Sequence, residues 1–477
     1  MCCLALADTS ILRPFAILGI CVATLIVLIS VLRAHAFLAL ILAAVLAGML
    51  APIGSLPGEP QASHWVQAVE DTTTEFGVVA GKIGVVIALA SIIGMCVMES
   101  GAADKIVRRF LAVFGEERAG LAIVVAGFLL GLPIFFDTFF MLLIPIARAL
   151  ALRTGKNYTL YMLAICCAGA VTHSQVAPHP GPIAMAEILK VDLGWSIIVG
   201  ALVSILPVAL GWQFAKWLNR RTNVPLRETP GTPLADLERI MNKPESSLPS
   251  FAASILPVLL PIFLISAASF LGAFGGSMRA TPFFKTIEFI GNRNIALLIG
   301  AVLSMVVLVR QRRLTLAALG GLIGPALELA GAMILITSAG GAFGGMLRNA
   351  GVGDAIRTAA SGHNINLVLL AWTVAVVLKF AQGSATVSVL TTAAMMVGMI
   401  QGADLPYHPM YIFVAIGFGA LGISWMNDSG FWVIGRLSGM NERETLRTWT
   451  AVAFFMCTMG LIETLILSTV LPFKLPR

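Results

Sequence analysis

The sequence predicts an all-α polytopic membrane protein. It would consist of two inverted repeats, each of five transmembrane helices plus one re-entrant helical hairpin, with broken helices at the midplane. Three observations lead there. Of the 477 residues, 58% are hydrophobic and 12% charged, against roughly a quarter charged in an average soluble domain, and the mean hydropathy is +0.93. Apolar runs long enough to span a bilayer recur along the whole chain, separated by short loops that hold most of the Lys and Arg. The two halves also echo each other at an offset of 250 positions.

Spans fall at about 14–32, 35–54, 76–98, 158–178, 194–218, 251–272, 294–309, 326–347, 409–434 and 448–471. The first run is too long for a usual signal-peptide core and is read as a retained helix, although Ala34-His35-Ala36 resembles a cleavage site. Stretches 119–151 and 365–400 are too long for one span and too short for two. Lys105, Arg108, Arg109 and Arg118 precede the first, and Arg148, Arg153 and Lys156 end or follow it. Positive charge on both flanks puts both on the cytoplasmic side, so the stretch must enter and leave there, with its tip near Pro133 to Asp137.

The same rule assigns the loops. Segment 55–75, with Glu59, Glu70, Asp71 and Glu75 and no Lys or Arg, belongs outside. Segment 219–250, with Arg220, Arg221, Arg227, Arg239 and Lys243, is a cytoplasmic linker between a first repeat at 1–218 and a second at 251–477. The loop 435–447 is inside, and both termini then lie outside. Gly101-Ala102-Ala103-Asp104-Lys105-Ile106 matches Gly351-Val352-Gly353-Asp354-Ala355-Ile356, and the same offset sets Ala170 on Ala420 and Ser174 on Ser424. Five spans per half is an odd number, so the second half starts on the opposite side; that is the inverted repeat of many secondary transporters.

Charge and cysteine usage exclude other classes. The net charge of +7 is spread through short loops rather than gathered in a patch for nucleic acid. The seven cysteines show no metal or disulfide spacing and read as small apolar packing residues. No Walker A string, zinc motif or nucleophile–base spacing occurs, which argues against a pump or an enzyme. A channel would need a continuous pore rather than broken helices.

In inverted-repeat carriers the site lies where interrupted helices expose their ends, and helix N-termini attract anions. Four stretches qualify. In the first hairpin (119–151), Pro133 breaks the ladder and Asp137 and Thr138 follow. A carboxylate at membrane depth suits a proton carrier, or it caps the tip. The first broken helix (158–182) carries Thr172-His173-Ser174-Gln175 and then Pro178-His179-Pro180-Gly181-Pro182. His173, Ser174 and His179 could bind a hydroxylated anion, and His173 is a second proton-carrier candidate. Two histidines without a third ligand do not make a metal site, so neither metal nor cofactor is expected. The second hairpin (365–400) holds Lys379, Gln382, Ser384 and Thr386, where Lys379 is either a countercharge or a snorkelling side chain. The second broken helix (409–434) holds Ser424, Asn427, Asp428 and Ser429 ahead of Gly430. These could bind substrate, with Asp428 a third proton carrier, or form an interhelical hydrogen-bond cluster. Lys82, Glu187, Glu328 and Glu463 are isolated charges placed near interfaces or in structural pairs, with no further role.

At these residues the sequence resembles the gluconate permease family of proton symporters over nearly its whole length. The strings that carry the resemblance are Gly131-Leu132-Pro133-Ile134-Phe135-Phe136-Asp137, Arg153-Thr154-Gly155-Lys156-Asn157 and Pro178-His179-Pro180-Gly181-Pro182. Gln382-Gly383-Ser384-Ala385-Thr386 and Asn427-Asp428-Ser429-Gly430-Phe431-Trp432 complete the set. The resemblance implies uptake of gluconate or a related sugar acid driven by protons. It leaves glycerate, D-serine and sodium coupling as alternatives. The family pattern has Glu where Asp137 stands and Pro where Ala177 stands, so the substrate is open at both positions. Expected partners are a small organic anion, protons and the lipid of a cell inner membrane, with a homodimer as the assembly to consider.

Overall fold

A computed structural model describes residues 2–57, 62–222, 224–229, 244–274, 281–352, 355, 366–400 and 405–472. The repeat partners Gly353, Asp354 and Ile356, the acidic Glu59, and the linker residues Arg239 and Lys243 lie outside the described residues. Among the described residues the regular structure is helical, and eight helices are long and apolar enough to cross a membrane.

The first half runs α1 (Cys2–Ile26), α2 (Ala36–Leu50), α3 (His64–Glu99), α4 (Ala102–Phe114), α5 (Ala119–Leu130), α6 (Phe136–Thr154), α7 (Tyr158–Gln175), α8 (Pro180–Leu189) and α9 (Leu193–Arg221). The second runs α10 (Phe251–Phe274), α11 (Pro282–Ile290), α12 (Arg293–Arg312), α13 (Leu316–Asn349), α14 (Leu367–Gln382), α15 (Ala385–Ile400), α16 (Met410–Leu421), α17 (Ser429–Leu437) and α18 (Glu442–Val470). At an offset of 250, α3 falls on α13, α5 on α14, α6 on α15, α7 on α16, α8 on α17 and α9 on α18, each to within a few residues.

Packing repeats as well. α7 rests on α9 as α16 rests on α18, and each broken helix sends its second piece to the other half: α8 packs on α15 and α17 on α6. The direction of each helix can be read from its contacts. Glu75 and Val79 of α3 lie against Gly345 and Gly341 of α13, while Gly84 meets Ile334, so these two equivalent helices run antiparallel. Gly127 of α5 and Gly131 just after it meet Ala168 and Thr172 of α7, so α5 advances with α7. Phe139 of α6 meets Gly169, and Phe136 faces His173, so α6 runs against it. The chain therefore reverses at 131–135, level with the end of α7. In the second half Gly419 meets Trp372 and Gly422 meets Lys379, and Ser388 Oγ donates to Ala375 O at 2.7 Å, which gives the same reversal at 383–384.

One sequence reading needs correction, and one helix was not anticipated. Residues 64–75, read as part of an outside loop, form the first three turns of α3, because Asp and Glu move a helix out of lipid without ending it. Glu75 then pairs with Arg348 on α13 at 2.6 Å. Segment 99–118, to which the sequence reading assigns no span, contains α4. Its apolar residues Ala102, Ala103, Ile106 and Val107 recur at helical spacing and are buried, and Asp104 pairs with Arg108 one turn on at 2.9 Å. That spacing is legible in the sequence, but an amphipathic helix this short carries no long apolar run.

Candidate functional site

Hairpin tips and helix breaks meet around a cavity of about 240 Å³. Its wall takes Asp137 and Thr138 from α6, His173 and Ser174 from α7, Lys379 from α14, and Ser384 and Thr386 from the second tip. Ser424, Asp428, Ser429 and Gly430 come from the second break, and Trp449 from α18. Residues related by the 250 offset face it together: Phe135 with Ala385, Phe136 with Thr386, Ala170 with Ala420, and Ser174 with Ser424. Phe136 stacks on Trp449 with ring centroids 5.9 Å apart, closing one side.

Local sequence explains the helix starts. Gly383 at φ +78° ends α14 in a conformation that disfavours other residues, and Ser384 Oγ accepts from Val387 N at 3.3 Å to start α15. Asp428 caps α17, accepting from Gly430 N at 3.0 Å. Phe135, in extended conformation, precedes α6 and leaves Asp137 in its first turn. First-turn N–H groups have no helical carbonyl to bond, so α6 and α15 both begin at the cavity wall with backbone donors, of which Ser384 Oγ takes Val387 N in α15.

Two charged groups form one unit. Lys379 Nζ lies 2.7 Å from Asp428 Oδ2 and 2.6 Å from Gly383 O. Asp428 Oδ2 also accepts from Ser424 Oγ at 2.5 Å, and that hydroxyl accepts from Trp449 Nε1 at 2.8 Å. Both partners are buried, so Lys379 does not snorkel. Asp137 differs: it is exposed to the cavity, and among the described residues no donor bonds its carboxylate.

Three expected residues stand apart from the cavity wall. His179 lies behind His173, ring centroids 4.1 Å apart, with both its nitrogens buried and unpartnered. Gln382 does not reach the wall, and its Nε2 is buried without a partner. Asn427 points away, donating to Phe380 O at 2.7 Å beside the Trp425 Nε1 bond to the same carbonyl. Trp449, Phe136, Leu329 and Met333 line the site unforeseen. In sequence they are apolar residues of spans like any other. A second chamber of about 240 Å³ shares Phe135, Thr138 and Leu329 with the first and reaches Glu99 between α3 and α13. Of the isolated charges, Glu187 pairs with Lys82 at 2.8 Å and Arg293 at 3.1 Å.

Residues 14–470 match the profile of the GntP family permease. The chain belongs to the GntP permease family. A Pseudomonas aeruginosa protein named gluconate permease is 35% identical over 94% of this chain and 96% of its own length. An Escherichia coli Gnt-II system L-idonate transporter is 29% identical over 96% of this chain and 100% of its own. An Alcanivorax borkumensis YdaH transporter, described as having an unusual topology, shares the fold at a TM-score of 0.57 and 15% identity, covering 92% of this chain and 98% of that one. Membership in this family makes the chain a multi-pass membrane transport protein and not an enzyme.

Proposed function

We propose that this chain is a secondary active transporter of a cell inner membrane that takes up gluconate or a related hydroxylated organic acid together with a proton. The names of its relatives favour sugar acids as cargo. The cavity suits one in chemistry: hydroxyls of Thr138, Ser174, Ser384, Thr386 and Ser429 for hydroxyl groups, and the first turns of α6 and α15 for a carboxylate.

The observation that carries the proton is the unpartnered Asp137. Lys379 and Asp428 cancel, so an ionised Asp137 leaves these three charged groups of the empty cavity at a net −1. An entering anion would take it to −2, which is costly in low dielectric. A proton on Asp137 restores the charge the empty site already tolerates. Asp137 thus ranks ahead of His173, and of Asp428, which is held by three donors.

The antiparallel packing of the equivalent α3 and α13 supports inverted repeats at 1–218 and 251–477. The loop charges support a cytoplasmic linker between them, and hairpins that open to the cytoplasm in one half and outward in the other. The test is uptake of labelled gluconate into proteoliposomes with and without an imposed pH gradient. Accumulation above equilibrium only when the outside is acid is expected. Accumulation indifferent to the pH gradient overturns proton coupling, and absence of uptake overturns the cargo.

A further inference from the structure

The Lys379–Asp428 pair raises a question of its own. A buried ion pair does little for stability, yet this one sits in the wall of the cavity with its ammonium at the start of α15. We propose that Asp428 is an internal stand-in for the substrate's carboxylate: in the empty carrier it occupies Lys379, and on loading the substrate carboxylate takes Lys379 over, bridging its ammonium and the first-turn N–H groups of α15. The proposal rests on the anion-transport reading and adds to it the residue that receives the charge.

Three features make the exchange feasible. Lys379 Nζ bonds Gly383 O at 2.6 Å independently of Asp428, so the ammonium stays at the second tip when its carboxylate partner changes. Asp428 keeps two donors after losing Lys379, Ser424 Oγ at 2.5 Å on Oδ2 and Gly430 N at 3.0 Å on Oδ1, and so remains a satisfied carboxylate. Trp449 Nε1 holds Ser424 Oγ from behind at 2.8 Å, which fixes the hydroxyl that must take the load. The site is also geometrically tied together: a Cβ on Gly383 would land 2.2 Å from Asn427 O, so the tip bearing the ammonium and the loop bearing Asp428 are in direct contact. An empty carrier with its receptor occupied by its own carboxylate does not leave a bare buried cation, and only a carboxylate of the right reach can replace it.

The experiment is a binding titration of the purified full chain in detergent with gluconate and a panel of simple monocarboxylates. Asp428→Asn removes the competitor, and roughly tenfold tighter binding is expected, the scale of one charged hydrogen bond. Lys379→Gln alone leaves Asp428 unpaired and could misfold, so the receptor is tested in the neutral double variant Lys379→Gln/Asp428→Asn, which keeps a hydrogen-bonding pair. That variant should stay folded by size-exclusion chromatography and lose carboxylate binding. Weaker or unchanged affinity in Asp428→Asn, or wild-type affinity in the double variant, overturns the proposal. Gluconate binding without this pattern sinks the exchange and keeps the cargo. The pattern seen with another carboxylate but not gluconate sinks the cargo and keeps the exchange. Binding of no carboxylate by the wild type overturns both.

Discussion

The first hairpin turns through Gly131-Leu132-Pro133-Ile134-Phe135, whose side chains offer no hydrogen bond, and the second through Gln382-Gly383-Ser384. Their settings differ accordingly. The first tip is buried against α3, where Gly94 leaves room for Pro133 O. The second tip is pressed against the backbone of Asn427 and Asp428, and two residues back from it Phe380 is an exposed aromatic stacked on Trp425. The charges are arranged the opposite way. The apolar tip presents the unpartnered Asp137, whereas the polar tip carries Lys379, which is fully paired. At the far ends of the return arms, α6 has the buried Arg148, which donates to Arg227 O at 2.6 Å and to Thr229 Oγ1, while the matching position of α15 is Gly398. A shared layout has thus been given two roles: one hairpin carries the ammonium of an ion pair, and the other holds a carboxylate without a partner among the described residues.

The largest effect should come from removing that carboxylate. Asp137→Asn mimics the protonated acid permanently, so uptake driven by a pH gradient should fall to simple equilibration while substrate exchange persists. Proteoliposomes loaded with unlabelled substrate measure both, and a variant that still concentrates substrate would shift the proton to His173 and then Asp428.

Next come the tips themselves. Gly383→Ala meets Asn427 O and also requires φ +78°, so a loss of at least about 1–2 kcal/mol is expected from the backbone term alone. Gly131→Ala has an ordinary φ of −68° and meets chiefly Thr172 Oγ1, so Thr172→Ala should rescue it. Thermal denaturation in detergent reads both. Failure of the rescue would mean that the first tip is constrained by more than that hydroxyl.

Single cavity hydroxyls act on binding rather than on folding. Ser384→Ala and Thr386→Ala should each weaken substrate binding by roughly 1.5–3 kcal/mol if they bond the charged end of the ligand. Ser384 also caps α15, so Thr386 is the cleaner test. Asn427→Ala should change affinity least, within about 0.5 kcal/mol, since its amide bonds Phe380 O outside the cavity wall. An affinity loss for Asn427 as large as that for Thr386 would place the substrate nearer the exposed side of the second tip.

Much of this was legible before folding. Composition required lipid as solvent, and the run lengths with flanking charges required interrupted spans, because a bilayer has a fixed thickness and backbone polar groups cannot face it unpaired. The Pro, Gly and polar strings marked all four places that now surround the cavity, since a helix breaks where those residues stand. Helix ends were less legible: acidic residues 70–75 were mistaken for loop although α3 runs through them. What only the tertiary structure decided is which of the marked side chains meet. Lys379 and Asp428 are 49 positions apart and become partners at 2.7 Å. Trp449, indistinguishable in sequence from a lipid-facing residue, becomes a cavity wall, while Asn427, beside Asp428, turns away. Periodicity and composition report on solvent and local backbone, one residue at a time. The direction of a side chain at a break depends on how helices from both halves pack around it, and no local pattern encodes that.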